Sequence, residues 1–470
     1  MLSVRLNEHV TLDAQDDGRL AVIVEGYSVN LSRLSAEATR RAAALRTGLP
    51  LASFAAARSA AAQEMATLVR RLARRGLVEY RLAQGRKDLA IIEPQVADYW
   101  PKPAKLRASD TVVLSRFAYL RRRGNALVLE SPRSAALFQI REPTIARFLA
   151  ELSRPQKLAE LKRQRGFPGL ELFALLADCQ ILLALDAIAG DGLRPQEGDH
   201  DLVLWDFHDL VFHTRSTEGR QANPLGGLYP YAGLIAPPPA ERPSWPGDRI
   251  ALGELKPPAQ SPMAQLLRKR HSLRDFDEAN PIQLAELAQF LDSTARILSR
   301  WENPLDFEAG GPIVGFTSRP YPSAGSAYEL ELYLAVANCA GLSRGFYHYD
   351  ASAHALVEIE VGAAELEAML STAQFAMGAA ALPQVLITIA ARFGRLSWKY
   401  SAIAYSLILK DVGALLQTFY LTATDMGLGG CAIGASNIEL FAEITGLRFH
   451  AEGPVGQFAL GRGAERQAAD

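Results

Sequence analysis

Seven prolines fall between residues 237 and 258, at Pro237, Pro238, Pro239, Pro243, Pro246, Pro257 and Pro258. Each removes a backbone donor and clashes with a preceding helical turn, so no long helix or central strand crosses this stretch. A chain of 470 residues also exceeds the roughly 250–300 residues that one core holds. The prolines therefore set the main division of the chain. Residues 191–260 are expected to form a Pro-rich linker that wraps over the domain following it.

The part before the linker has a repeated texture. Residues 1–95 open on short alternating strands (VRLNEHVTL, LAVIVEGYSVNL) and continue into an Ala/Arg/Leu-rich helical stretch. It ends on MATLVRRLARRGLVEYRL, which reads as a helix, a stop at Gly76 and a strand, the outline of a winged helix. Residues 105–190 repeat the order. TVVLSRFAYLRRRGNALVLES supplies strands, EPTIARFLAEL and QKLAELKRQ supply helices, and LELFALLADCQILLALD closes the unit. Two winged-helix-like units are expected here.

Residues 261–470 alternate helix and strand. Helices are expected near 261–272, 283–298 and 402–426, with strands at ELYLAVANC, QVLITIAAR and GPVGQFALGRG and a hairpin at GFYHYDASAHALVEI. That is an α+β domain around a sheet of few strands. The uncharged run 368–391 is split by Pro383 and diluted by Ser371, Thr372, Gln374 and Gln384, so it reads as a helix end and a buried strand, not a membrane span.

Fifty basic and 51 acidic residues leave a formal net charge of -1. No overall charge draws the chain to nucleic acid or to an anionic membrane. Cys179, Cys339 and Cys431 are far apart and odd in number, which fits core residues in a reducing cytoplasm better than a disulfide framework or a metal site. The N-terminus lacks the apolar run of a signal peptide. His208 and His213 are not on one helical face and have no third ligand nearby, so no zinc site is expected.

Four segments of the last zone carry candidate chemistry. Arg270-His271-Ser272-Leu273-Arg274 places two guanidiniums and a hydroxyl on alternate residues, which suits a phosphate monoester; a solvated basic helix end is the plainer account. Pro322-Ser323-Ala324-Gly325-Ser326 combines a rigid turn with small residues that let backbone N–H groups approach a flat ligand, or is an ordinary loop. Gly427-Leu428-Gly429-Gly430 caps a helix but runs on through Cys431-Ala432-Ile433-Gly434. Leu460-Gly461-Arg462 puts a late Arg at the end of a buried strand.

In this order, over about 200 residues, the segments resemble the FMN site of the nitroreductase superfamily. The resemblance implies FMN as cofactor. It assigns Arg270, His271, Ser272, Arg274 and Arg462 to the phosphate and ribityl chain. Pro322, Ser323, Ala324, Gly325 and Ser326 would line the isoalloxazine, with Gly429, Gly430, Ile433, Gly434 and Gly461 completing the cradle. It also implies a homodimer, because superfamily members build the site across two subunits. Trp205-Asp206-Phe207-His208-Asp209, Arg319-Pro320-Tyr321-Pro322-Ser323, Gly345-Phe346-Tyr347-His348-Tyr349 and Trp398-Lys399-Tyr400 narrow the likeness. Together they resemble the SagB-type dehydrogenases, including the cyanobactin oxidases. That resemblance implies oxidation of thiazolines and oxazolines to thiazoles and oxazoles in a ribosomally made precursor peptide, and it makes the two winged-helix-like units, 1–95 and 105–190, peptide-binding units that look like the leader-binding domains of the cyanobactin oxidases. A cyclodehydratase is an expected partner, and dioxygen the expected reoxidant.

Such an oxidation needs a base that is unprotonated near neutral pH. Lys399 and Tyr400 form the candidate couple, expected at the start of a helix whose dipole favours loss of their protons. A surface lysine beside a core tyrosine is the alternative. Asp411 is expected to be structural, either in an internal polar contact or facing solvent beside Lys410. Two other functions compete with azoline oxidation: an NAD(P)H-dependent nitro or quinone reductase with an accessory domain, and a DNA-binding flavin sensor. No Gly-x-Gly-x-x-Gly fingerprint follows a strand, and no basic face stands out in the Arg-rich 68–81 region.

Overall fold

A computed structural model describes residues 1–14, 19–24, 27–55, 59–85, 87–97, 99–185, 199–223, 225–242, 244–255, 261–305 and 310–464. The chain forms two compact units, Met1–Asn223 and Pro224–Asp470. The linker positions 191–198, 224, 243 and 256–260, including Pro243, Pro257 and Pro258, lie outside the described residues.

The first unit is built on a seven-stranded sheet. Its order is Leu49–Pro50, Leu2–Leu6, Val78–Gln84, Lys87–Pro94, Ala136–Ile140, Ala126–Glu130 and Tyr119–Arg123. The two repeated stretches thus share one sheet, joined where Lys87–Pro94 pairs antiparallel with Ala136–Ile140. In the first stretch the helix Ala60–Arg74 is capped by Ser59 and buries Met65, Leu68, Val69 and Leu72. Gly76 (φ 66°) then turns the chain into Val78–Gln84, because a left-handed residue ends a helix at least cost when it is glycine. In the second stretch, Phe148, Leu161, Phe173 and Leu176 carry three short helices into the same apolar core.

One boundary differs from the sequence expectation. Residues 199–223 belong to the first unit, not to a linker. Trp205 and His213 are buried and stack at 5.7 Å, Arg116 Nη2 donates to the Trp205 carbonyl at 3.0 Å, and Arg215 pairs with buried Glu130 at 2.8 Å. The prolines begin only after this segment, so nothing in its sequence prevents the helix Phe207–Arg215. The described residues 226–253 that follow are exposed.

The second unit holds a six-stranded antiparallel sheet. Its order is Ala355–Ile359, Gly345–Asp350, Leu330–Val336, Val385–Arg392, Glu452–Gly461 and Gly429–Ile433. The central strand Val385–Arg392 is buried along nearly its whole length, as expected of a continuous apolar run. The helix Ala363–Met377 ends at Gly378 (φ 63°) well before that strand. The uncharged run is therefore two elements, and no described helix is long and apolar enough to cross a membrane. The 22-residue helix Ala404–Asp425 lays Ala404, Tyr405, Ile408, Val412, Leu415, Phe419 and Ala423 into the core. This helix positions the site.

Candidate active site

The turn at residues 322–326 enters the strand Leu330–Val336 through left-handed backbone at Gly325 (φ 57°), Ser326 (φ 54°) and Tyr328 (φ 45°). Two non-glycine residues in that region carry strain, which persists only where neighbouring contacts fix the chain. Those contacts are present. Tyr328 N donates to Ser323 Oγ at 2.9 Å, and Ala324 N donates to Asp411 Oδ2 at 2.8 Å. Asp411 is buried on the long helix, so it makes an internal polar contact and does not face solvent.

Lys399 and Tyr400 meet the same turn. Lys399 Nζ donates to the Gly325 carbonyl at 3.1 Å and lies 5.7 Å from the centre of the Phe316 ring. A Cβ at Gly325 would collide with both Lys399 Nζ and the Tyr400 hydroxyl, so only glycine lets the pair close over the turn. Their local setting differs from the expected one. They follow the C-terminal end of the short helix Phe393–Ser397 and stop short of the long helix, because Ala402 is left-handed (φ 59°) and the next helix begins at Ala404. A helix dipole acts within its first turn, so the dipole does not explain the pair.

A second cluster gathers around Tyr420. Its hydroxyl lies 2.9 Å from Ser272 Oγ and accepts the Ala432 backbone N–H at 2.8 Å, while Arg270 covers its ring at 5.0 Å. Leu273 N donates to the Gly430 carbonyl at 2.9 Å. The 270–274 segment and the strand Gly429–Ile433 are thereby joined. His271 and Arg274 are exposed, and neither Arg270 nor Arg274 has an ion-pair partner among the described residues. Two uncommitted guanidiniums beside a hydroxyl fit a phosphate dianion.

The glycines have packing reasons. A Cβ at Gly429 would strike Leu273, one at Gly430 would strike Phe458 and the Ala459 carbonyl, and one at Gly461 would strike Phe276 and Gln384. Around Gly434 the space is open, and Ile433 is buried beside it. Arg462 is committed elsewhere: its Nη2 contacts both oxygens of Glu286 at 2.7 Å, and its backbone N–H donates to Gln384 Oε1 at 2.9 Å.

Asp411 and Tyr420 are nine residues apart on one helix, or about 2.5 turns, so their side chains leave opposite flanks. Within one chain the 322–326 turn and the 270–274 segment are therefore anchored on different sides of the long helix. Between the flanks runs an exposed stripe of Ser406, Lys410, Gly413 and Gln417.

The family model for the nitroreductase family matches residues 267–462, which contain both clusters. A protein assigned as a nitroreductase, MJ1384 of Methanocaldococcus jannaschii, is 30% identical over 176 residues, covering 37% of this chain and 78% of the relative. The chain belongs to the nitroreductase family. The model for the cyanobactin oxidase ThcOx matches residues 112–222, within the first unit. Among solved structures, a nitroreductase from Ralstonia eutropha JMP134 is similar over 48% of this chain and 97% of its own, at 21% identity and a TM-score of 0.33. The E. coli microcin synthetase McbBCD complex with truncated pro-MccB17 is similar over 56% of this chain and 96% of the matched one, at 17% identity and a TM-score of 0.39.

Several residues of this candidate site escaped the sequence reading. Tyr420 sits in an apolar helix with nothing to set it apart from core aromatics. Gln384 ties three segments, accepting from Ile282 N and Arg462 N at 2.9 Å each and donating to the Asp277 carbonyl at 2.6 Å. Glu329 is fully buried behind the turn, where burial, aided by the Asp411 charge, pushes its carboxyl up to about 7. Its signal was legible: an acid directly ahead of the apolar strand LELYLAV.

Proposed function

We propose that this chain is an FMN-dependent oxidoreductase that dehydrogenates thiazolines or oxazolines in a ribosomally made precursor peptide. The observation that carries this reading is the closure of Lys399 and Tyr400 over Gly325, which puts two candidate bases against the turn assigned to the isoalloxazine. The cyanobactin oxidase match in the first unit supports a peptide substrate.

An azoline ring becomes aromatic by losing a proton from one carbon and a hydride from its neighbour. FMN, when bound, supplies the two-electron acceptor for that hydride, with dioxygen as terminal oxidant. The chain's own residues do the rest. Arg270, Ser272 and Arg274 hold the phosphate, the 322–326 turn orients the ring system, and Lys399 or Tyr400 takes the proton. A base must be unprotonated near neutral pH; a neighbouring cation favours that form for either residue type, and loss of solvent favours it for a lysine only.

A homodimer completes the site in this reading. The turn and the phosphate segment are anchored on opposite flanks of one helix, and a two-fold partner packing on the exposed stripe would set the turn of one subunit against the phosphate segment of the other. The first unit grips the precursor peptide by adding it as a strand to a sheet edge, and a cyclodehydratase supplies the azolines.

The test is anaerobic single turnover. A peptide carrying azolines should bleach the flavin and yield azole at one ring per flavin. Rapid bleaching by NAD(P)H with none by the peptide would make the protein a nitro or quinone reductase instead.

A further inference from the structure

Two carboxyl groups face each other behind the turn. Ser323 Oγ lies 3.3 Å from Glu329 Oε2 and 3.0 Å from Asp411 Oδ2, and it already accepts the Tyr328 N–H. A hydroxyl has one hydrogen and cannot donate to both oxygens. Asp411 Oδ2 also accepts the Ala324 N–H, which marks it as an acceptor, so the single Ser323 hydrogen belongs there. The contact to Glu329 is then stable only if Glu329 supplies the missing hydrogen. Its other oxygen, Oε1, is buried without a hydrogen-bond partner, which a carbonyl oxygen of a neutral acid tolerates far better than a carboxylate does.

We infer that Glu329 is a positioning residue: it holds a proton, donates it to Ser323 Oγ, and so locks the 322–326 turn under Lys399 and Tyr400, releasing the turn when it ionises. The inference rests on the assignment of that turn to the flavin for its functional consequence, but not for the proton itself.

The surroundings agree. The charged or titratable groups around Glu329 include Asp411 on the long helix, Arg395 on Phe393–Ser397 and buried Tyr321 ahead of the turn. Arg395 gives its Nε hydrogen to the Ala327 carbonyl at 3.0 Å and its Nη2 hydrogen to the Gly315 carbonyl at 2.5 Å, and forms no ion pair with Glu329. The backbone carbonyl of Glu329 is fixed by Arg392 N at 2.9 Å. The folded chain thus favours the protonated form. For a group raised to about 7, that contribution is complete below the ordinary carboxyl range and is lost as pH rises through the folded value.

Two measurements on the full chain test this. Infrared spectra of the flavin-free protein at about pH 6 should show the carbonyl band of a buried neutral acid, fading toward about pH 8.5. Glu329→Gln should lack the band, and Asp411→Asn should move its midpoint to lower pH by removing the facing charge. Separately, FMN affinity of the natural protein should fall about tenfold over the same range, with Glu329→Gln losing that fall while keeping the affinity seen at low pH. Absence of the band at about pH 6, or an unchanged band in Glu329→Gln, overturns the inference. So does an FMN pH profile shared by both proteins. A protein that shows the band but binds no FMN refutes the flavin assignment alone.

Discussion

Lys399 Nζ and the Gly325 carbonyl oxygen are 3.1 Å apart, a hydrogen bond that spans 74 residues of sequence. It joins the candidate base to the turn that would orient the ring system. Because Tyr400 meets the same glycine, the two residues are positioned by one contact surface, not by the start of a helix.

Lys399→Ala and Tyr400→Phe should each slow azoline oxidation by about 10²–10⁴-fold, the usual loss of a general base. Both meet the 322–326 turn and neither contacts the 270–274 segment, so any loss of flavin should be small beside the kinetic loss. Single-turnover bleaching on variants matched for FMN content checks this. Full rates in both would remove the pair from the mechanism.

Gly325→Ala should be worse than its size suggests. The backbone there is left-handed, and the new methyl would collide with both partners. Backbone strain of about 1–3 kcal/mol is expected, and the steric clash is relieved only by displacing the ends of Lys399 and Tyr400. The variant should fold with a lowered melting temperature and show the combined kinetic defect of the two base variants. Normal turnover would show that the pair does not need this contact.

Much of the second unit was legible because its signals are local. Apolar runs marked QVLITIAAR and GPVGQFALGRG as strands, and 3.6-residue periodicity marked the long helix to within about two residues. The 270–274, 322–326 and 429–434 segments carry arginine, proline and glycine, whose backbone and charge requirements survive outside any fold. What the sequence hid was non-local. Tyr420 and Gln384 matter through partners far along the chain, and nothing at positions 420 or 384 announces them. Residues 199–223 looked like linker because periodicity fails there, yet Trp205, Leu210 and His213 are buried by long-range packing. The repeat in the first unit was visible, but not that its two halves share one sheet, since strand pairing leaves no mark in either strand alone.

Gly430→Ala tests the packing account of the 429–430 pair. The added methyl meets the Phe458 ring and the Ala459 carbonyl inside a buried antiparallel pair. Overpacking of this kind costs about 1–3 kcal/mol. Urea denaturation should show a lower midpoint with an unchanged slope. No change in stability would mean the strand yields freely, and the glycine would then need a different reason.

Removing residues 1–223 should leave a fragment that retains FMN, because both clusters lie in the second unit. Peptide affinity should fall sharply, since the repeated strands of the first unit are lost. Isothermal titration with the natural precursor measures the loss. Unchanged kinetics on that precursor would show that the first unit plays no part in recognition.

The last prediction concerns Arg462, which the sequence assigned to phosphate and which the structure pairs with Glu286 through both carboxylate oxygens at 2.7 Å. The Glu286 carboxyl is held below its usual range, first by the Gln283 backbone N–H and then by Arg462. Its ionised form therefore persists throughout neutral pH, and is lost only as pH falls through the lowered value. An incoming phosphate must compete with that partner, whereas Arg270 and Arg274 have no ion-pair partner among the described residues to give up. Both members of the pair are about one-third exposed, so the exchange is worth at most about 1 kcal/mol. Arg270→Ala should consequently weaken FMN binding more than Arg462→Ala does, and the double variant should be colourless. Glu286→Gln keeps a side chain able to cap the helix while releasing the guanidinium, and should tighten FMN by up to about fivefold. Flavin-fluorescence titration of the four proteins decides the matter. Equal losses for the two single Arg variants, with no gain in Glu286→Gln, would mean that Arg462 reaches the phosphate without leaving Glu286. A double variant that stayed fully yellow would mean that the phosphate lies elsewhere.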